Sequence, residues 1–393
     1  LNSKAVGRVK AWSMGQGAKK MDKNSKIYVA GHTGMVGTAI TEALRKRGYT
    51  NIIGRTFEEL NLVRQQETDD FFAAEKPEVV ILCAAKVGGI MANNTLRAEF
   101  IYENLMIEAN VIHAAWQHGV KKLVFLGSSC IYPRDAQQPL KEDYLLTSPL
   151  EYTNEPYAIA KIAGLKMCES YNLRYGTDFI AVMPTNLYGP YDNFNLAGGH
   201  VLPALTRRIH LGKLLEEGDI DGIRRDLGRR PVDSFDGDES EEELRGLLDK
   251  HGVKHGAWGV GHGTKGTGRV SVTVWGTGTP LREFMWSGDM ADATVFIMEK
   301  VSFKDLIPGD AGGEVRNTHV NIGTGEEITI RDLAMLLKET IGFKGEIVFD
   351  HSKPDGTPRK LIDSSKLHGL GFRHSTSIKE GVGKIYEWYK KRE

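Results

Sequence analysis

The chain predicts an α/β fold, a doubly wound parallel sheet followed by a smaller C-terminal α/β unit. Three observations carry this. Short apolar runs without alternation, such as residues 79–84 (VVILCA), read as strands buried on both faces, which is the habit of parallel sheets. Such runs alternate with segments of helical period, the pattern of βαβ units. A turn with glycines at 31, 34 and 37 joins the first run to the first helical segment.

Taken in order, residues 26–30 (KIYVA) form the first strand. The helical pattern that follows runs to Arg47 and is closed by Gly48. Residues 51–53, 79–84, 123–127 and 179–183 are the next strands. Helical periodicity covers 100–118 and 156–175, and His113 and His118 on the first of these read as structural. Beyond 190 the pattern is less regular, with a strand at 270–275 and helices at 289–300, 330–341 and 378–390. Residues 214–268 stand apart, with an acidic block at 236–243 and a glycine-rich stretch at 252–268. Ser240 and Glu243 have capping-box spacing ahead of Leu244, Leu247 and Leu248. One small helix in an otherwise loop-like insertion is therefore expected.

Composition excludes several classes. Lys+Arg and Asp+Glu are both 51, so there is no overall positive field to hold nucleic acid. No apolar run approaches the ~18 residues of a membrane span. Cys83, Cys130 and Cys168 are few and lack ligand spacing, which argues against a disulfide framework and a metal cluster and fits a reducing cytoplasm. The first twenty residues carry Lys4, Arg8, Lys10, Lys19 and Lys20 but no acid and no apolar core, so a secretory signal is not expected. Residues 1–24 are expected to be a disordered leader or a remnant, with Met21 the natural beginning; a basic organelle-targeting leader is the alternative.

The glycine turn is the first functional motif. Gly31 permits the tight turn, Gly34 lets the backbone approach a pyrophosphate, and Gly37 lets helix and strand pack closely. Thr33, Met35 and Val36 complete the loop at the helix N-terminus, where free N–H groups favour anions. This predicts a Rossmann dinucleotide site. An acid at the end of the second strand would accept bonds from ribose hydroxyls; the segment instead reads Gly54-Arg55-Thr56-Phe57. Arg55 can pair with a 2′-phosphate, so NADP(H) is the expected cofactor. The bland alternative is that Arg55 is a solvated surface residue.

Tyr157 and Lys161 lie four apart in YAIAK and share a helix face. An ammonium beside a phenol favours the phenolate and is expected to lower the tyrosine pKa. Tyr157 can then exchange a proton with a substrate oxygen while hydride moves at the attached carbon. Lys161 can also hold a nicotinamide ribose. Ser128, in Gly127-Ser128-Ser129-Cys130 at a strand end, is placed to bond the same oxygen.

These elements, in this order, resemble the extended short-chain dehydrogenases/reductases. The stretches AAKVGGI (84–90), GSSCIYP (127–133), NEPYAIAKIAG (154–164), PTNLYGPYDNF (184–194), REF (282–284) and KPDGTPRKL (353–361) are similar to the GDP-L-fucose synthases, and the match runs from residue 26 to the end. The resemblance implies 3,5-epimerisation of GDP-4-keto-6-deoxy-D-mannose and reduction at C4 with NADPH. It implies that Cys130 and His200 are the acid/base pair of the epimerisation and that His200 also meets the cofactor. A thiolate and an imidazole titrate near neutral pH, which suits the task. Alone, Cys130 would read as an inert strand-end thiol and His200 as unremarkable. Arg208, Arg282 and Lys360 fall on substrate positions where cations would meet the diphosphate, with Asn186 and Asp355 as further contacts. The domains implied are residues 25–190 with about 288–325 for NADP(H), and about 191–287 with 326–393 for the GDP-sugar. A homodimer paired through the helices at 100–118 and 156–175 is expected. The insertion at 214–268 departs from compact relatives, and reads as a lid, an oligomer contact or a solvated loop. Open alternatives are another GDP-4-keto-sugar reductase, a GDP-colitose synthase, a UDP-sugar epimerase and a non-catalytic NADP-binding protein.

Overall fold

The computed structural model describes residues 21–255, 269–307 and 313–391. The apolar runs of the N-terminal half all enter one sheet. In chain order the elements are β1 (Ile27–Ala30), α1 (Met35–Lys46), β2 (Ile52–Ile53), α2 (Gln65–Glu75), β3 (Val79–Leu82), α3 (Ile90–Thr95), α4 (Arg97–Gln117), β4 (Lys122–Leu126), α5 (Glu155–Tyr175) and β5 (Phe179–Pro184). Next come β6 (Asn186–Tyr188), α6 (Val201–Glu217), α7 (Ile220–Arg229), α8 (Glu241–Lys250), β7 (Val253–His255), β8 (Val270–Trp275), β9 (Leu281–Arg282) and β10 (Phe284–Trp286). The chain closes with α9 (Ser287–Lys300), β11 (Val320–Ile322), β12 (Ile328–Thr329), α10 (Ile330–Ile341), β13 (Glu346–Asp350), β14 (Arg359–Lys360), α11 (Ser365–Gly369) and α12 (Ile378–Lys390).

The main sheet has the order β11-β5-β4-β3-β1-β2, with every neighbouring pair parallel. Strand order reverses between β1 and β3, which opens a crevice at the strands' C-terminal ends. Side chains of β1 alternate between two cores. Ile27 and Val29 face the layer of α1 and α9, whereas Tyr28 and Ala30 face the layer of α2, α4 and α5. Burial on both faces is why these strands lack polar alternation. α9 and β11 return from late in the sequence to complete this sheet.

A third core gathers α6, α7, α8, β8, α10 and α12. Three small sheets accompany it, β10-β6, β12-β9-β14 and β13-β8-β7. Apart from β8 and β13, with six and five residues, their strands of two or three residues are too short to leave a period in the sequence.

Two expectations need correction. Among its described residues, 214–255, the insertion is not mainly loop, because α7 precedes the anticipated α8. The α8 capping box forms as expected, with Ser240 N donating to Glu243 at 2.9 Å. α7 is capped by Asp219, whose carboxylate accepts from Gly222 N at 2.8 Å. Ile223 and Leu227 of α7 enter the third core together with Leu244, Leu247 and Leu248 of α8. Charged neighbours of Ile223 and Leu227 hid this face in the sequence. The second correction concerns residues 21–24. Lys23 is tied to the sheet domain, 2.6 Å from Glu299 and over the Tyr49 ring at 3.9 Å. The rest of the leader and the glycine-rich stretch beyond residue 255 lie outside the described residues.

Candidate active site

The glycine turn is built by close approach. Gly31 has φ +84°, and a Cβ there would lie 2.8 Å from Ala84 N. A Cβ on Gly37 would lie 2.1 Å from the Gly31 carbonyl oxygen, so only glycine lets α1 start here. A Cβ on Gly34 would meet nothing nearer than 3.7 Å, leaving its face open. Gly34 is the N-cap of α1, and neither a side-chain cap nor an acid in the first turn satisfies the leading N–H groups. A diphosphate is the group that such an end fits. Thr33, Met35 and Val36 lie in this turn and the first turn of α1. Arg55 stands just past β2, engaged with Glu75 at 2.5 Å and with its neighbour's carbonyl, Gly54 O, at 2.8 Å. It is a partly buried cation just past the second strand, and a 2′-phosphate held there would have to share it with Glu75.

Ser128 lies two residues past β4 and caps the short 3-10 turn Ser129–Ile131, its Oγ accepting from Cys130 N at 3.2 Å. This contact does not use the hydroxyl proton of Ser128. The half-buried Cys130 sulfur receives two N–H donors at 3.4 Å, Asn154 Nδ2 and Lys360 Nζ. Asn154 caps α5, which carries Tyr157 in its first turn. Lys161, one turn further, is fully buried, with Nζ 3.0 Å from Glu108 Oε1 and 3.0 Å from the Leu126 carbonyl oxygen. The Glu108 contact is ionic rather than a well-aligned hydrogen bond, since its oxygens have no partner of hydrogen-bonding geometry. Burial raises the Glu108 carboxyl above the usual range against the pull of Lys161.

The expected lowering of the Tyr157 pKa is not what the structure gives. Burial, then the charges of Cys130 and Glu108, push the phenol well above its ordinary value. The Lys161 ammonium lies 5.6 Å from the Tyr157 ring centroid and is already engaged by Glu108. Tyr157 therefore stands as a phenol with a proton to give.

His200 caps α6 and is 54% exposed in its side chain, with Nδ1 4.0 Å from Asp192 Oδ1. Its loop touches the dinucleotide domain, since a Cβ on Gly89 would lie 3.0 Å from the Gly198 carbonyl oxygen. Among the substrate candidates, Arg282 on β9 and Lys360 on β14 are register partners in one small sheet. Asp355 is drawn to the same edge. It accepts from Thr277 N and Oγ1 at 2.9 and 2.7 Å, and Arg282 is among the groups that lower its pKa. Arg208 on α6 donates to Leu196 O at 2.5 Å and keeps a buried Nε without a partner; burial lowers its pKa. Asn186 is spent differently, its amide donating to Glu283 O at 2.9 Å.

Four residues escaped sequence reasoning: Glu108, Asn154, Asp192 and Glu283. The Glu283 carboxylate is fully buried and accepts from Thr324 N, Gly325 N and Ile362 N at 2.6, 2.8 and 3.1 Å. It pins together three distant motifs. Glu108 offered one signal, a lone acid on a helix face otherwise buried against the sheet.

Among dinucleotide sheets, a tyrosine one turn ahead of a lysine, with a serine ending the neighbouring strand, marks the short-chain dehydrogenases/reductases, and fold and site assign the chain to that class. A profile described as the NAD dependent epimerase/dehydratase family matches residues 27–228 and 259–323. GDP-L-fucose synthase 1 of Arabidopsis thaliana is 47% identical over 94% of this chain and 94% of its own length. GDP-L-fucose synthase of Escherichia coli (strain K12) is 45% identical over 93% and 96%. The solved structure of MlghC, a GDP-mannoheptose C4 reductase from Campylobacter jejuni with NADP bound, is 44% identical with a TM-score of 0.79, covering 94% of this chain and 99% of that one. The chain belongs to the NAD dependent epimerase/dehydratase family, in the extended branch that contains the GDP-L-fucose synthases.

Proposed function

We propose that the chain is an NADPH-dependent 3,5-epimerase and 4-reductase that converts GDP-4-keto-6-deoxy-D-mannose to GDP-L-fucose. The observation that carries this reading is Cys130. A thiol held by two N–H donors beside Ser128, at the mouth of the helix bearing Tyr157, gives the reductase site a second proton-transfer group. A simple ketone reductase has no use for one. The names of the curated relatives point the same way.

The residues divide the work as follows. Gly31, Thr33, Gly34, Met35, Val36 and Gly37 would hold the diphosphate of NADPH, Arg55 the 2′-phosphate, and Tyr157, Lys161 and His200 the nicotinamide end. When bound, NADPH supplies the hydride for C4. Arg208 and Arg282 bind the GDP-sugar diphosphate, with Asp355 and Lys360 in the same half and Asn186 at the end of the cofactor segment, bonded to Glu283 O. The C4 ketone acidifies the C–H bonds at C3 and C5. Cys130 removes a proton as the C–H electron pair moves into an enolate, and His200 returns one to the opposite face. Ser128 donates to O4 throughout. Tyr157 then gives its proton to O4, which its raised pKa suits. The residues 25–190 with 288–325 serve the cofactor and the remainder the sugar nucleotide. Among the described residues no helix is long and apolar enough to cross a membrane. Three cysteines without a disulfide pattern favour a reducing compartment, and a cytoplasmic location is part of this reading. The enzyme works as a homodimer. Tyr102 on α4 and Leu173 and Tyr175 on α5 are exposed apolar residues available for pairing.

A second reading has a specific observation behind it, the equal likeness to a C4 reductase of a GDP-heptose. One experiment separates them. The protein is given GDP-4-keto-6-deoxy-mannose and NADPH in heavy water, and the product is read by NMR. Deuterium at C3 and C5 of GDP-L-fucose is expected. A reduced sugar with both carbons unlabelled and unchanged would leave a reductase alone, and no NADPH oxidation would defeat both readings.

A further inference from the structure

Lys360 belongs by sequence pattern with the cations that meet the diphosphate, yet its ammonium lies 3.4 Å from Cys130 Sγ. The contact spans 230 positions of chain and is held from both sides. β14 pairs in parallel with β9, setting Lys360 opposite Arg282. The next residues are tied as well. Leu361 N donates to Gln138 Oε1 at 2.8 Å, Leu140 N donates to Leu361 O at 2.8 Å, and Ile362 N donates to Glu283 Oε2 at 3.1 Å. Gln138 and Leu140 lie on the chain that follows the Ser128–Cys130 turn, so the strand carrying Lys360 is fastened to the thiol's own segment. Among the described residues no carboxylate forms an ion pair with Lys360.

The surroundings of the sulfur are one-sided. Lys360 from β14 and Asn154 from the cap of α5 both point N–H groups at it. An ammonium can only donate, and a side-chain amide nitrogen can only donate. A sulfur met by two donors is best matched when it carries the negative charge. Among the described residues Tyr157 also senses it, and burial keeps Tyr157 a neutral phenol. Ser128 is occupied with the backbone of Cys130 and adds no charge.

We propose that Lys360 is the positioning residue of the Cys130 thiolate, with Asn154 as its neutral companion, and that it prepares Cys130 to take a proton from the sugar. This rests on the function proposed above. Lys360 itself transfers nothing. When the thiolate takes the C3 or C5 proton, an S–H bond forms, the C–H bond breaks, and the electron pair goes to the ketone as an enolate. The ammonium then faces a neutral thiol and is freed towards the anionic substrate, so one cation serves the base before proton transfer and the developing charge after it.

The test reads the thiol directly. Cofactor-free protein is treated with iodoacetamide across pH 6–10 (~ range around the free thiol's titration), and labelling of the Cys130 peptide is followed by mass spectrometry. Wild type is expected to label readily at neutral pH. Lys360→Met should slow labelling there by about tenfold or more. Lys360→Arg should restore most of the neutral-pH reactivity, which a merely structural role would not predict. Asn154→Ala should lower the rate less than Lys360→Met does. In the heavy-water assay Lys360→Met should lose exchange at C3 and C5 further than it loses NADPH oxidation. Wild-type labelling rates in Lys360→Met, with only KM for the GDP-sugar raised, would overturn the proposal and return Lys360 to the diphosphate. The labelling result stands whether or not wild type makes GDP-L-fucose, so the two readings fail separately.

Discussion

At the scale of single residues, His200 and Cys130 are served by opposite surroundings. Cys130 faces donors, whereas His200 faces Asp192, whose Oδ1 lies 4.0 Å from Nδ1 and whose buried Oδ2 has no hydrogen-bond partner. Burial raises Asp192 to about 7, and partial desolvation of its half-exposed ring lowers His200 from its ordinary value. The sign follows from this. Below about pH 7 Asp192 is a neutral acid; as pH rises through 7 it becomes a carboxylate that favours an imidazolium opposite it. Asp192→Asn should therefore slow C3/C5 exchange above pH 7 and leave it nearly unchanged at pH 6, removing an inflection from the pH profile. The same shift has a stability consequence. The native carboxyl keeps a proton that the unfolded chain releases, so its contribution falls as pH rises from about 4, the ordinary carboxylate value, to about 7. Denaturant unfolding of the variant should show a flatter decline over that window. Superimposable pH profiles would remove Asp192 from the account. Neither Asp192 nor Asn154 was legible in the sequence, because each acts through a contact that forms only when loops from different elements meet.

At the scale of elements, α7 shows why the insertion is part of the fold. Its Asp226 is fully buried and receives Arg207 Nε of α6 at 2.8 Å and Arg230 Nη1 at 3.3 Å. The Tyr389 hydroxyl of α12 donates to the same carboxylate. Arg207 is itself almost wholly buried and also donates to Arg230 O. Removing one partner of such a cluster strands a buried charge, at a cost of about 3–5 kcal/mol. Asp226→Ala should lose that much in urea unfolding, with NADPH affinity little changed, since the cluster lies in the core away from the glycine turn. A loss below about 1 kcal/mol would fit a solvated excursion instead. The sequence announced α8 through a local capping box. α7 depended on a buried ion cluster whose members lie as far apart as Arg207 and Tyr389, and no local pattern shows that.

At the scale of the whole molecule, the proposed homodimer is testable on the exposed face of α4 and α5. Tyr102 and Leu173 are 59% and 54% exposed there, so a second copy can cover them. Tyr102→Glu with Leu173→Glu should halve the mass in sedimentation equilibrium while the monomer keeps its circular dichroism. A wild-type monomer at all concentrations would reject the dimer. The sequence by itself determined the parallel sheet, the glycine turn and the Tyr157–Lys161 face, because each depends on neighbours within a strand, a turn or one helical repeat. The tertiary structure alone decided which charge meets which atom of the candidate site. It gave Lys161 to Glu108, set Lys360 against Cys130 and kept Tyr157 a phenol, because burial and contacts between distant segments govern electrostatics, and neither is a property of local sequence.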